Sequence, residues 1–171
     1  ITIVAIFTPA FNIQKIHIIG NDHYTDQEIL SVMDIKEGVN GLKYLKGNIR
    51  DIINLRFTNE ENNVEDLPYV KRANIKYSLP SDVSVTIQER EGTACLRHMG
   101  NSLLIDVDGY IIDIINKKQK KQYIEFRGVN FDRYVLGERL KTQPKDIVDT
   151  IILLIQSIKF SDNHTGLNIY N

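Results

Sequence analysis

The sequence predicts an α+β protein in two parts, and three stretches of its 171 residues carry that prediction. Between Leu67 and Arg90, Ala73, Ile75 and Tyr77 alternate with polar residues, as do Val83, Val85 and Ile87, the period of two half-buried strands. Leu79-Pro80-Ser81-Asp82 joins them: Pro80 fixes its own φ and keeps Leu79 out of the helical region, while Ser81 and Asp82 bond nearby amides. Upstream, apolar residues recur at helical spacing. Downstream, short apolar runs parted by glycine turns read as a meander with one helix packed on it. The expected order is β-α-α-β-β, followed by a mostly antiparallel β-unit.

Composition sets the outer limits. Hydrophobic residues make up 42% and charged residues 25%, enough for a real core, and a net charge of −1 with both signs interspersed argues against a basic nucleic-acid face. The single cysteine, Cys95, excludes an intrachain disulfide and reads as a small apolar residue in a strand.

Taken in order, the chain opens on Ile1, Ile3, Val4, Ala5, Ile6 and Phe7, a run stopped by Pro9 and far short of the roughly twenty residues that cross a bilayer. Phe11, Ile13, Ile16 and Ile18 predict the first strand, with a bulge at the phase slip of Gln14-Lys15. Gly20-Asn21-Asp22 ends it. Thr25 and Glu28 form a capping-box pattern ahead of Ile29, Leu30 and Met33, which predicts a short helix. Leu45, Ile49, Ile52, Ile53 and Phe57 then predict a second helix, its one-sided apolar stripe laid on a sheet face. The polar, mostly acidic run Asn59 to Asp66 reads as a connector into the hairpin.

Past Arg90, Thr93 to His98, Ser102 to Val107 and Tyr110 to Ile115 predict strands, with tight turns at Met99-Gly100-Asn101 and Val107-Asp108-Gly109. Asn116 to Gln122 is a basic, solvated loop, and Tyr123 to Phe126 another strand. Pro144 suits a first helical turn before Ile147, Val148, Ile151, Ile152, Leu154, Ile155 and Ile158. Leu167, Ile169 and Tyr170 begin a further alternating strand.

Several of these phrases carry a resemblance. Pro68-Tyr69-Val70-Lys71, the Leu79-Pro80-Ser81-Asp82 turn and the Val83-x-Val85-x-Ile87-x-Glu89-Arg90 ending resemble the last two strands of a POTRA (polypeptide-transport-associated) domain, and Phe11 to Asn21 with Thr25-x-x-Glu28-Ile29 resembles its opening. Glu89-Arg90 followed by Ala94, Leu104-Ile105-Asp106, Asp108-Gly109 and later Leu136-Gly137-Glu138 is similar to the FtsQ/DivIB family of bacterial cell-division proteins. The resemblance implies that residues 1–10 are the end of a transmembrane helix cut from its beginning, 11–90 a POTRA-like domain, and 91–171 a β-domain whose last strands lie beyond Asn171. It also implies a single-pass protein of the cytoplasmic membrane, N-terminus inside and domains outside, at the division septum. There it would be a scaffold that binds other bitopic division proteins of the DivIC/FtsB and FtsL types.

No chemistry competes with that reading. His17, His23, His98 and His164 lack metal-ligand spacing, and Cys95 and His98 fall on opposite faces of a strand. Asp106-x-Asp108-Gly109 lacks the later ligands of a calcium loop and reads as a turn. Gly38-Val39-Asn40-Gly41 lacks the Lys-Ser/Thr of a phosphate loop, and paired catalytic carboxylates and a nucleophile elbow are missing. The expectation is therefore a protein that is not an enzyme, with no cofactor, metal, nucleic acid or small-molecule substrate. Its partner surface is expected at Ile158, Leu167, Ile169 and Tyr170. The alternative is a POTRA protein of outer-membrane assembly or polypeptide secretion, which the absence of tandem repeats disfavours.

Overall fold

The computed structural model describes residues 8–131, 133–142, 144 and 146–165, with residues 159–165 as helix backbone alone. The chain divides between Glu89 and Arg90 into two compact units. Its two sheets and few helices are the α+β architecture expected from the sequence.

The first unit contains β1 (Lys15–Ile19), α1 (Asp26–Val32), α2 (Ile49–Ile53), α3 (Thr58–Glu65), β2 (Val70–Ser78) and β3 (Asp82–Glu89). The strands lie in the order β1-β3-β2, with β1 parallel to β3 and β2 antiparallel to it. Hairpin register sets Tyr77 opposite Val83, Ile75 opposite Val85 and Ala73 opposite Ile87, and all six are buried on one face. Ile13, Ile29, Phe57 and Val64 close the core over that face, each such aliphatic or aromatic contributing about 1.5–3 kcal/mol. The capping box at α1 is complete: the Thr25 hydroxyl accepts from the Glu28 amide, and the Glu28 carboxylate from the Thr25 amide at 2.8 Å.

Four local expectations are corrected. Phe11 lies in a 3₁₀ turn, Pro9–Phe11, rather than in the first strand. The phase slip before Lys15 is a change of partner, not a bulge: the Ile13 amide donates to the Val39 carbonyl at 2.9 Å, and only from Lys15 does the chain pair with β3.

The stripe from Leu45 to Phe57 is not one helix. Asn48 caps a five-residue turn of helix, Leu55 takes a positive φ of 55°, and residues 55–57 then run along β2. There the Phe57 amide donates to the Ile75 carbonyl at 2.9 Å and the Tyr77 amide to that of Leu55 at 2.8 Å. Those bonds and the burial of Phe57 outweigh helix continuation. As a result Ile49 and Ile53 face solvent, 73% and 71% exposed, instead of lying on the sheet. The helix that follows, α3, lies in the acidic segment expected to be a connector.

The second unit contains β4 (Ala94–His98), β5 (Asn101–Ile105), β6 (Ile111–Ile115), β7 (Ile124–Phe126) and α4 (Ile147–Thr165), with strands ordered β6-β5-β4-β7. The β4-β5-β6 meander is antiparallel, and β7 returns parallel to β4. Met99 and Gly100 both take positive φ, 44° and 92°, as a tight hairpin requires. Val148, Ile151 and Ile155 of α4 are buried against Ala94, Leu96, Leu103, Ile105 and Ile111. The helix approaches closely at Gly109, where a Cβ would meet Val148 at 2.8 Å.

Candidate partner surface

The dipeptide at the end of the hairpin is structural on both sides. The Glu89 carboxylate accepts from the His23 amide at 2.9 Å and the Tyr24 amide at 3.4 Å, closing the turn after β1, where the His23 ring stacks on Tyr69 with centroids 3.5 Å apart. Arg90 turns into the second unit. Its guanidinium donates to Asp106 at 2.8 Å and lies 3.6 Å from the centre of the Tyr110 ring. Asp106, 2% exposed, also accepts from the amides of Asp108 and Tyr110 at 2.9 and 2.8 Å, so Asp106 to Gly109 is a self-bonded turn, as its sequence indicates.

Sheet edges are the usual place for a partner strand, because their amides and carbonyls lack neighbours. The outer edge of β2 is taken. Glu65 accepts from the Ala73 amide and Glu61 from the Ile75 amide, both at 2.9 Å, and the Leu55 carbonyl takes the Tyr77 amide. Glu61 is further held by Arg56, whose guanidinium it keeps above its ordinary pKa through hydrogen bonding and charge, while Glu60 accepts from the Asp34 amide at 2.8 Å. Strand addition at that edge of β2 would have to displace all three acceptors.

In the second unit, α4 buries Val148, Ile151 and Ile155 and leaves Leu153 and Leu154 exposed, 63% and 49%. Ile158, expected at the partner surface, is half-buried and continues the inward stripe of Ile151 and Ile155. Leu167, Ile169 and Tyr170 lie outside the described residues.

One grouping escaped the sequence reading. Arg97, Lys117, Lys120, Lys121, Tyr123 and Arg127 line an open cleft of about 620 Å³ beside β7. Glu125 pairs with two of these residues, Lys120 at 2.5 Å and Arg127 at 2.7 Å, and this pairing holds its carboxyl below the usual carboxylate range. An acid within a basic stretch was the available signal. Burial, with Glu125 nearby, raises the Cys95 thiol, and His98 stacks on Phe131 at 4.0 Å. Among the described residues no group of three His, Cys, Asp or Glu side chains is placed to hold a metal ion, and no helix is long and apolar enough to cross a membrane.

A three-stranded mixed sheet covered by helices on one face, leading through Glu89-Arg90 into a meander, defines a POTRA domain followed by a β-unit. Residues 11–90 match the family model "POTRA domain, FtsQ-type". Beyond that domain, the cell-division protein DivIB of Clostridium acetobutylicum is 23% identical over 156 residues, 91% of this chain and 57% of that protein. FtsQ of Bartonella bacilliformis is 28% identical over 109 residues, 64% of this chain and 32% of that protein, and FtsQ of Corynebacterium glutamicum 26% over 107 residues, 63% and 43%. The chain carries an FtsQ-type POTRA domain and is similar to the DivIB and FtsQ cell-division proteins. It spans 57% of the length of the clostridial relatives from C. acetobutylicum and C. tetani.

Proposed function

We propose that this protein is a non-enzymatic scaffold of bacterial cell division, held in the cytoplasmic membrane by a span ending within residues 1–10. Its POTRA domain (11–90) and β-domain (from 91) lie outside the membrane. The observation that carries this reading is likeness to DivIB along 91% of the chain, running through both units rather than the POTRA domain alone. The partners are other bitopic division proteins of the DivIC/FtsB and FtsL types. Their site centres on the end of α4 and the segment after it, Ile158 with Leu167, Ile169 and Tyr170, and the filled β2 edge favours the second unit over that side of the first.

Fluorescence localisation of the full-length protein, tagged at its N-terminus, tests the role: a mid-cell band is expected, and an even envelope signal would return the protein to outer-membrane assembly or secretion. Alanine at Ile158, Leu167, Ile169 and Tyr170 together tests the site. Loss of partner binding with the fold retained by circular dichroism is expected, and undiminished affinity removes the site.

A further inference from the structure

The first unit has an apolar, basic end that its fold does not use. Ile49, Ile52 and Ile53, 73%, 39% and 71% exposed, all sit on five-residue α2, and Leu79 at the hairpin tip is 55% exposed. Isolated exposed aliphatics are ordinary, but a group of them with cations is the composition of an interfacial membrane contact. Lys43, Lys46 and Arg50 flank the isoleucines and are exposed. Among the described residues none of the three makes an ion pair. Asp51, next to Arg50 on α2, is buried at 8% exposure, while Lys46 shares an open cleft with Asp34 and Glu60.

The hydrogen bonds place these groups at one end of the sheet. β2 runs toward the hairpin tip at Ser78, and Leu55 lies opposite Tyr77, so α2, which precedes Leu55, is at the tip end. The chain enters at the same end. The Asn40 side chain donates to the Thr8 carbonyl at 3.2 Å, the Gln14 amide to the Ser81 carbonyl at 2.8 Å, and the Tyr77 hydroxyl to the Phe11 carbonyl at 2.7 Å. Gly41, at the start of the turn that carries Lys43, packs so tightly on the Tyr77 ring that a Cβ would come within 2.6 Å. The described chain therefore begins, at Thr8, at the same end as the exposed isoleucines and their cations.

We infer that this end of the POTRA domain docks on the anionic phospholipid surface of the membrane, inserting Ile49, Ile53 and Leu79 between headgroups while Lys43 and Arg50 meet lipid phosphates. The inference rests on the reading of residues 1–10 as the end of a membrane span, since that reading brings this face to the bilayer. Each cation near such a surface strengthens partitioning about fivefold, and removal of two inserted isoleucines weakens it about tenfold or more.

The test is co-sedimentation of the 171-residue chain with vesicles of phosphatidylcholine, with and without phosphatidylglycerol. Binding that requires phosphatidylglycerol, falls about tenfold or more in Ile49→Ser/Ile53→Ser and weakens in Lys43→Glu/Arg50→Glu at unchanged melting temperature supports the docking. Absence of wild-type binding overturns it. So does equal binding by Ile49→Ser/Ile53→Ser when only Ile3→Ser/Ile6→Ser loses it, or an Ile49-dependent dimer without vesicle binding. The anchor is tested apart from this, by carbonate extraction of the full-length protein. Release into the supernatant defeats the span reading and leaves the vesicle result to stand or fall alone.

Discussion

The buried carboxylate of Glu61 accepts a 2.9 Å hydrogen bond from the backbone N–H of Ile75, on the outer edge of β2. With Glu65 on Ala73 one turn along, it lets a helix of acidic composition close a sheet edge that another chain would otherwise occupy. Glu61→Ala strands both the Ile75 amide and the Arg56 guanidinium. Because Arg56 keeps 36% of its side chain in water, the expected cost is about 2–3 kcal/mol rather than that of a sealed pair. Glu61→Gln, which retains an acceptor, should cost less. Urea denaturation ranks the two, and hydrogen exchange at Ile75 reports the edge directly; equal losses in both variants would mean that the hydrogen bond is not the reason.

That edge also shows where the sequence was legible. The hairpin and capping box were readable because their signals are local: alternation fixes a face, and Thr25 reaches an amide three residues away. Glu60, Glu61 and Glu65 read as solvated connector because their partners, Asp34, Ile75 and Ala73, lie up to 26 residues off, and a long-range acceptor leaves no periodicity. Ile49 and Ile53 failed in the opposite sense. Their spacing promised a buried stripe, while burial depended on Leu55 turning and Phe57 joining β2. At the candidate partner site Ile158 was readable as helical, but which residues share a surface with it is a tertiary matter that helical spacing does not encode.

Gly20, at φ +83°, holds the exit of β1 against β3. A Cβ there would lie 2.1 Å from the Ile87 carbonyl oxygen, a contact with backbone that no rotamer relieves. Gly20→Ala combines that clash with a left-handed conformation and should destabilise by about 2 kcal/mol or more. A melting temperature within error of wild type would show that the strand pair shifts at little cost.

Arg90 and Asp106 are 9% and 2% exposed at their side chains, so breaking the pair leaves a charge with little water to turn to. Arg90→Ala should cost about 3–5 kcal/mol, and Asp106→Ala as much or more, because the amides of Asp108 and Tyr110 lose their acceptor too. The double variant should be less destabilised than the two single losses summed. Strict additivity in that cycle would deny the coupling.

Glu125 supplies the pH dependence. Its pairing with Lys120, then that with Arg127, holds the carboxyl below its ordinary pKa despite opposing burial, so the unfolded chain takes up the proton at a higher pH than the folded one. The pairing therefore stabilises fully above the unfolded value of about 4.3 and is lost as pH falls through the lower folded value. Arg127 is 74% exposed and Lys120 23%, which screens the pair and keeps the expected cost of Glu125→Gln to about 1 kcal/mol at neutral pH. The gap in melting temperature between wild type and Glu125→Gln should hold from pH 7 to about 5 and close below about 4. A gap that persists undiminished into acid would assign the loss to packing in the cleft beside β7 rather than to the carboxylate's charge.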